Sequence, residues 1–123
     1  MRMTREAGAE GPLISGFSGR GFRIDDHVYL GLLITPDSAD SWSPPPIEAL
    51  DEAALAPLLA LDPLPEFLLI GTGSAMRRPP PALVAALDAR GIGVEAMDSR
   101  AAARAWGVLR AERRQIAGAF YPL

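Results

Sequence analysis

The sequence predicts a single α/β domain: a main sheet with helices packed on it, plus an extra small glycine-rich β sheet at the N-terminal end. Three observations predict it. The apolar run "EFLLI" (66–70) has strand length and no polar alternation, the pattern of a strand covered on both faces. It is followed by a helical stretch, "PPPALVAALDARG", and then by "IGVEAM" (92–97), so that strand, helix and strand form a parallel crossover unit. Ahead of them, "LISGFSGRGFRIDDHVYLGLLITP" is punctuated by glycine in the manner of short antiparallel strands.

The chain has 123 residues, 49% of them hydrophobic, which suits one packed core. Residues 1–11 read as a flexible polar tail and 12–123 as the domain. In the N-terminal part, Phe22 and Ile24 alternate with Arg23, Asp25-Asp26 signal a turn, and "VYLGLLI" (28–34) reads as one strand. "TPDSADSWSPPP" (35–46) is a proline- and serine-rich loop whose Trp42 reads as a plug over the core. "LDEAALAPLLALDP" is a short helix with Asp51 as N-cap and Leu55, Leu58 and Leu59 on one face; Pro57 shortens or bends it.

The second helix, 79–90, starts on prolines, presents Leu83, Val84 and Leu87 as one stripe, and ends at Gly91. In "IGVEAM", Ile92, Val94 and Ala96 share a face. The third helix, 99–113, is capped by Asp98 or Ser99. "QIAGAFYPL" closes the chain as a strand. The main sheet is therefore expected from "EFLLI", "IGVEAM", "VYLGLLI" and "QIAGAFY".

Composition excludes several chemistries. All twelve basic residues are arginine, so a Schiff-base or P-loop lysine is impossible. There is no cysteine, hence no thiol nucleophile, disulfide or thiolate metal site, and the single histidine, His27, cannot build a multi-imidazole zinc site. The net charge of −3, without a basic face, argues against nucleic acid. No signal-peptide pattern and no membrane-length apolar run is present, which predicts a soluble, cytoplasmic protein without a transmembrane segment. Neither cofactor nor metal is expected, and the chain is expected to be a monomer or small homo-oligomer.

One stretch carries the site question. "FLLIGTGSAMRRPPP" ends the expected central strand in Gly71-Thr72-Gly73-Ser74, where open α/β sheets bind ligands, with Arg77 and Arg78 nearby. It matches neither G-x-x-x-x-G-K-[ST] nor G-x-G-x-x-G, and three prolines remove backbone donors after it. Binding of ATP, GTP or NAD is therefore not expected. Either the loop merely turns the chain, or it forms a pocket for a small ligand or a partner's side chain. His27 adjoins Asp25 and Asp26, but neighbours in a strand face apart. A triad of Thr72 or Ser74 with His27 has no support in the spacing. On the third helix, Ala101, Ala102, Ala105, Trp106, Val108 and Leu109 share a broad face with Glu112 near its middle. A carboxylate there either emerges past the core edge at the helix end or is buried and paired. A buried Glu112 paired with Arg114 or another arginine is expected, and the functional reading is an acid at a pocket rim.

The order "LLIGTG" then "LVAALDARGIGVEAMDSRAAARAWGVLRAERRQIAGAFYPL", with "LISGFSGRGFRI" and Trp42 ahead of it, resembles a family of small α/β domains of unknown function, the Mth-type domain. That family includes the adipogenesis-associated domain protein and a mitochondrial respiratory complex I assembly factor. The resemblance covers roughly residues 12–123 and places Ser99, Ala102, Trp106, Leu109, Glu112 and Arg114 on the family's third-helix pattern. Gly107 replaces its asparagine and Arg113 its glycine. The resemblance implies a three-layer α/β fold with a mixed central sheet, on which the helices 79–90 and 99–113 are the two main packing helices expected. It implies no established reaction and, for one branch, help in building complex I.

Two function classes follow. One is a non-enzymatic binding or assembly protein with a protein partner, its contact surface lying near the GTG or Trp42 loop and ringed by Arg77 and Arg78. The alternative is a small-molecule-binding protein or weak enzyme whose pocket gathers Gly71, Thr72, Gly73, Ser74, Arg77, Glu112 and Arg114. A pocket uniting the GTG loop with Glu112 favours the second class; an exposed apolar surface favours the first.

Overall fold

The computed structural model describes residues 11–123. The expected tail, 1–11, lies almost wholly outside the described residues.

Three short strands form the small N-terminal sheet: β1 (Gly16–Ser18), β2 (Gly21–Ile24) and β3 (His27–Tyr29), antiparallel in that order, with Phe17 opposite Phe22 and Arg23 opposite Val28. The main sheet contains β4 (Leu32–Ile34), β5 (Ala39–Ser41), β6 (Phe67–Gly71), β7 (Gly93–Met97) and β8 (Ala117–Phe120), in the order β5-β4-β8-β6-β7. It is mixed: β6 runs parallel to both β7 and β8, while β4 runs antiparallel to β5 and β8.

Two expectations about strands need correction. "VYLGLLI" is not one strand; it breaks at Leu30-Gly31 and its halves enter different sheets. Gly31 permits the break, since a Cβ there would lie 2.1 Å from the Trp42 carbonyl oxygen. The "TPDSADSW" loop also contains a strand, β5, which pairs Ala39 with Ile34 and Ser41 with Leu32.

Residues 50–63 form a 3-10 turn (Ala53–Leu55) running into one helical turn, α1 (Ala56–Leu59). Asp51 Oδ1 accepts from the Ala54 amide at 3.0 Å, as its capping role requires, and Pro57 falls in the first turn, where its missing donor does no harm. Helix α2 (Pro81–Ala89) buries Leu83 and Leu87 but leaves Val84 exposed, so the expected stripe is narrower than Leu83, Val84 and Leu87. Gly91, at φ +80°, ends it: the Gly91 and Ile92 amides donate to Asp88 and Leu87 carbonyls, a Schellman ending. Helix α3 (Ser99–Ala111) is capped by Asp98, whose carboxylate accepts from the Ala101 amide.

Alternation along the central strands divides the core into two layers. On one face Leu33, Leu68, Ile70, Ala117 and Ala119 meet Leu83 and Leu87 of α2, with Ile47, Leu55 and Leu58 from the connecting turns. On the other, Leu32, Ile34, Leu69 and Phe120 meet Ala102, Ala103 and Trp106 of α3, with Phe22 and Ile24 of the small sheet. Trp106 is fully buried and donates to the Pro12 carbonyl at 3.0 Å, tying the start of the domain to α3.

Candidate functional site

The GTG loop is a latch. Gly71 must lack a side chain because a Cβ there would stand 2.7 Å from Ser99 Oγ. Gly73 adopts φ +99°, which favours glycine, and its amide donates to Ser99 Oγ at 2.8 Å. The Ser99 hydroxyl donates onward to the Tyr121 carbonyl at 2.7 Å, and its amide donates to the Gly73 carbonyl. Thr72 Oγ1 donates to the Ala75 carbonyl at 2.7 Å, with Met97 O also in reach, and accepts the Arg77 amide at 3.0 Å. These groups join β6, the start of α3 and the chain's end to one another, and Thr72 is buried. Ser74 and Arg77 are exposed at the rim.

Glu112 and Arg114 are not part of that loop. Ser99 begins α3 and Glu112 follows its last residue, so the helix of 13 residues holds them roughly 20 Å apart. The expected burial of Glu112 is overturned: its side chain is 58% exposed and stands 3.9 Å from Arg114. The buried side of α3 carries Ser99, Ala102, Ala103, Trp106 and Arg110, whereas Val108 is exposed. Counting Val108 inside and Arg110 outside rotates the wheel, at roughly 100° per residue, and wrongly carries Glu112 inward. Arg110 is only 8% exposed; one terminal nitrogen donates to the Arg114 carbonyl, while its Nε has no partner among the described residues.

Arg114 pairs with Glu66, just before β6, through two nitrogens at 3.1 and 2.9 Å from Oε1. This hydrogen bonding holds the Glu66 carboxyl below its ordinary range. The guanidinium also lies over the Phe67 ring, 5.6 Å from its centre. Arg113, where the family pattern has glycine, occupies the left-handed region at φ +61°. The Arg113 amide donates to Arg110 and the Arg114 amide to Leu109, again a Schellman ending.

His27 is exposed on β3, and with Asp25, Tyr29 and Asp37 it lines a polar depression of about 730 Å³ that no GTG-loop residue reaches. Trp42 is engaged internally. Its indole donates to the Ala54 carbonyl at 3.1 Å, and its ring meets that of Tyr121 edge-on at 5.2 Å. Tyr121 donates to the Pro45 carbonyl at 2.8 Å; burial, and secondarily the charge of Glu48, push its hydroxyl up to about 12.

The feature that sequence reasoning missed is a groove of about 920 Å³ between α2 and the sheet edge. Val94 and Ala96 of β7 line it together with Met76, Pro79 and Val84. Met76 is 55% and Val84 37% exposed. The available signal was the apolar excess of "AMRRPPPALVAAL", more than one buried stripe can absorb. Arg78 lines the groove as well, whereas the GTG residues do not.

A family model described as a protein of unknown function (DUF498/DUF598) matches residues 14–121, and the chain belongs to that family. An uncharacterized protein of Rhodobacter capsulatus is 36% identical over 121 residues, covering 97% of this chain and 92% of its own. The Danio rerio protein named NADH dehydrogenase (ubiquinone) 1 alpha subcomplex assembly factor 3 is 31% identical over 121 residues, covering 98% of this chain and 69% of its own. The chain spans 59% to 69% of the length of the animal assembly factors it matches. Among solved structures, a Xanthomonas campestris protein studied by NMR is 31% identical with a TM-score of 0.78, covering 98% of this chain and 91% of that one. A Mth938-like domain of Bordetella pertussis, 24% identical, shares the fold with a TM-score of 0.79 over 99% of this chain and 92% of its own. No helix among the described residues is long and apolar enough to cross a membrane.

Proposed function

We propose that this chain is a non-enzymatic binding protein that holds a partner chain, acting as an assembly or accessory factor for a respiratory NADH dehydrogenase complex. The observation that carries the reading is the open apolar groove between α2 and β7, where Met76 and Val84 stand exposed beside Val94 and Ala96. Apolar side chains gathered around a concavity gain most when a partner excludes water from them. The names of the animal relatives supply the assembly role. The alternative, a small-molecule-binding protein or weak enzyme at the GTG loop, requires Glu112 beside Gly71–Ser74, and α3 separates them. The loop's own polar groups are, moreover, engaged with Ser99, Ala75, Met97 and Tyr121.

The test is affinity capture of the tagged full chain from its native host, with Val84→Glu in parallel. The wild type is expected to retain a discrete partner, and the variant to lose it with its melting temperature kept. A pure protein that turns over a metabolite efficiently and retains no partner would contradict the reading.

A further inference from the structure

We propose that the free edge of the main sheet, β7 with the groove beside it, receives an extended apolar and basic segment of a partner protein as a sixth strand. This rests on the partner-holding reading and adds to it where the partner sits and what it presents.

Among the described residues, strand β7 is outermost and pairs only with β6. The Gly93 amide donates to Glu66 at 3.0 Å, and Met97 O accepts from the Thr72 amide at 2.9 Å. Main-chain groups alternate in direction along such a ladder. Gly93, Glu95 and Met97 therefore turn theirs toward β6, while Val94 and Ala96 turn their N–H and C=O groups outward. An unpaired row of this kind is a template for another strand, and natural edges are commonly blunted by lysine, proline or a bulge. Between Gly93 and Met97 there is neither lysine nor proline, and Glu95 is the only charge.

The groove supplies the side-chain half of the site. Val94 and Ala96 stand in register with Leu68 and Ile70, on the α2 face, so their side chains point to the groove. A strand added beside them lays every second side chain against Met76, Pro79 and Val84, which calls for apolar residues at those positions. The remaining positions turn to the strand's other face, where Glu95 stands exposed, and at the groove itself Glu48 and Asp88 face Arg78 as its one basic residue. That carboxylate excess favours lysine or arginine in the incoming segment. It also disfavours a second copy of this chain: antiparallel pairing of two β7 strands about Glu95 sets like charges opposite each other, and each copy carries a net −3.

The test titrates the isotope-labelled full chain with a short peptide of alternating valine and lysine while amide exchange is read at Val94 and Ala96. Protection of these two amides is expected to rise about tenfold or more. Ala96→Pro removes one outward N–H without touching the β6 ladder, and it is expected to weaken peptide binding about tenfold at an unchanged melting temperature. Should the proline variant unfold, Val84→Glu reads the same loss through the groove wall. Equal binding of a valine–glutamate peptide overturns the charge assignment. Protection that grows with protein concentration alone assigns the edge to a second copy and overturns the partner. Protection elsewhere, or nowhere, overturns the edge. If the wild type captures a host partner and Ala96→Pro and Val84→Glu capture it equally, the edge assignment falls while the partner-holding reading stands; if the wild type captures nothing, both fall.

Discussion

The buried hydroxyl of Ser99 accepts the Gly73 amide at 2.8 Å. It also donates to the Tyr121 carbonyl, so Ser99→Ala leaves an amide and a carbonyl of the latch without a partner. The expected loss is about 1–3 kcal/mol, read by urea denaturation. A change lost in experimental error would mean that the GTG loop is not held this way.

Arg113 sits at φ +61° in the turn that ends α3. A residue with a Cβ is disfavoured there, so Arg113→Gly is expected to stabilise the protein by about 1 kcal/mol, without altering the Arg114–Glu66 pair. A lower denaturation midpoint in the glycine variant would show that the Arg113 side chain contributes more than its backbone strain costs.

The exposure of Glu112 makes it an ordinary surface residue. Glu112→Ala is expected to shift stability by no more than about 0.5 kcal/mol, whereas Trp106→Ala, in the fully buried core, costs about 3–5 kcal/mol. Thermal denaturation of the two variants side by side distinguishes them, and a large loss at Glu112 would contradict its placement outside the core.

The Tyr121 hydroxyl titrates near 12 in the folded chain, against an ordinary value of 10.0. A raised folded value means that its stabilisation is present below pH 10 and lost as pH rises through about 12. Tyr121→Phe is expected to be less stable at neutral pH, through the lost Pro45 hydrogen bond, and to lose less stability across that alkaline range. Parallel slopes for the two proteins between pH 10 and 12 would contradict the shift.

Much of this fold is legible in the sequence where apolar length and glycine or proline punctuation agree. β6, α2, β7 and β8 lie close to their expected positions because "EFLLI", the triple proline, Gly91 and "QIAGAFY" each carry a local physical signal. β5 escapes because Ala39, Asp40 and Ser41 have little strand preference; pairing with β4 imposes the conformation. The break at Gly31 depends on the approach of Trp42, a contact between separate segments that no local pattern reveals. The phase of α3 is hidden by two residues: Val108, apolar yet exposed, and Arg110, whose long side chain is buried although its type is usually exposed. For the candidate site, the GTG loop is visible as a motif, yet its partners Ser99 and Tyr121 lie far along the chain. The groove is less visible still, since it arises where α2 meets an edge that only the strand order defines.

Photocrosslinking in the native host tests the partner-holding groove most directly. A photoreactive residue placed at Met76 or Val84 is expected to yield one discrete adduct, and the same probe at Val108, exposed on α3 across the sheet, is expected to yield none. An adduct at Val108 with none at Met76 or Val84 would contradict the assignment of function to this groove.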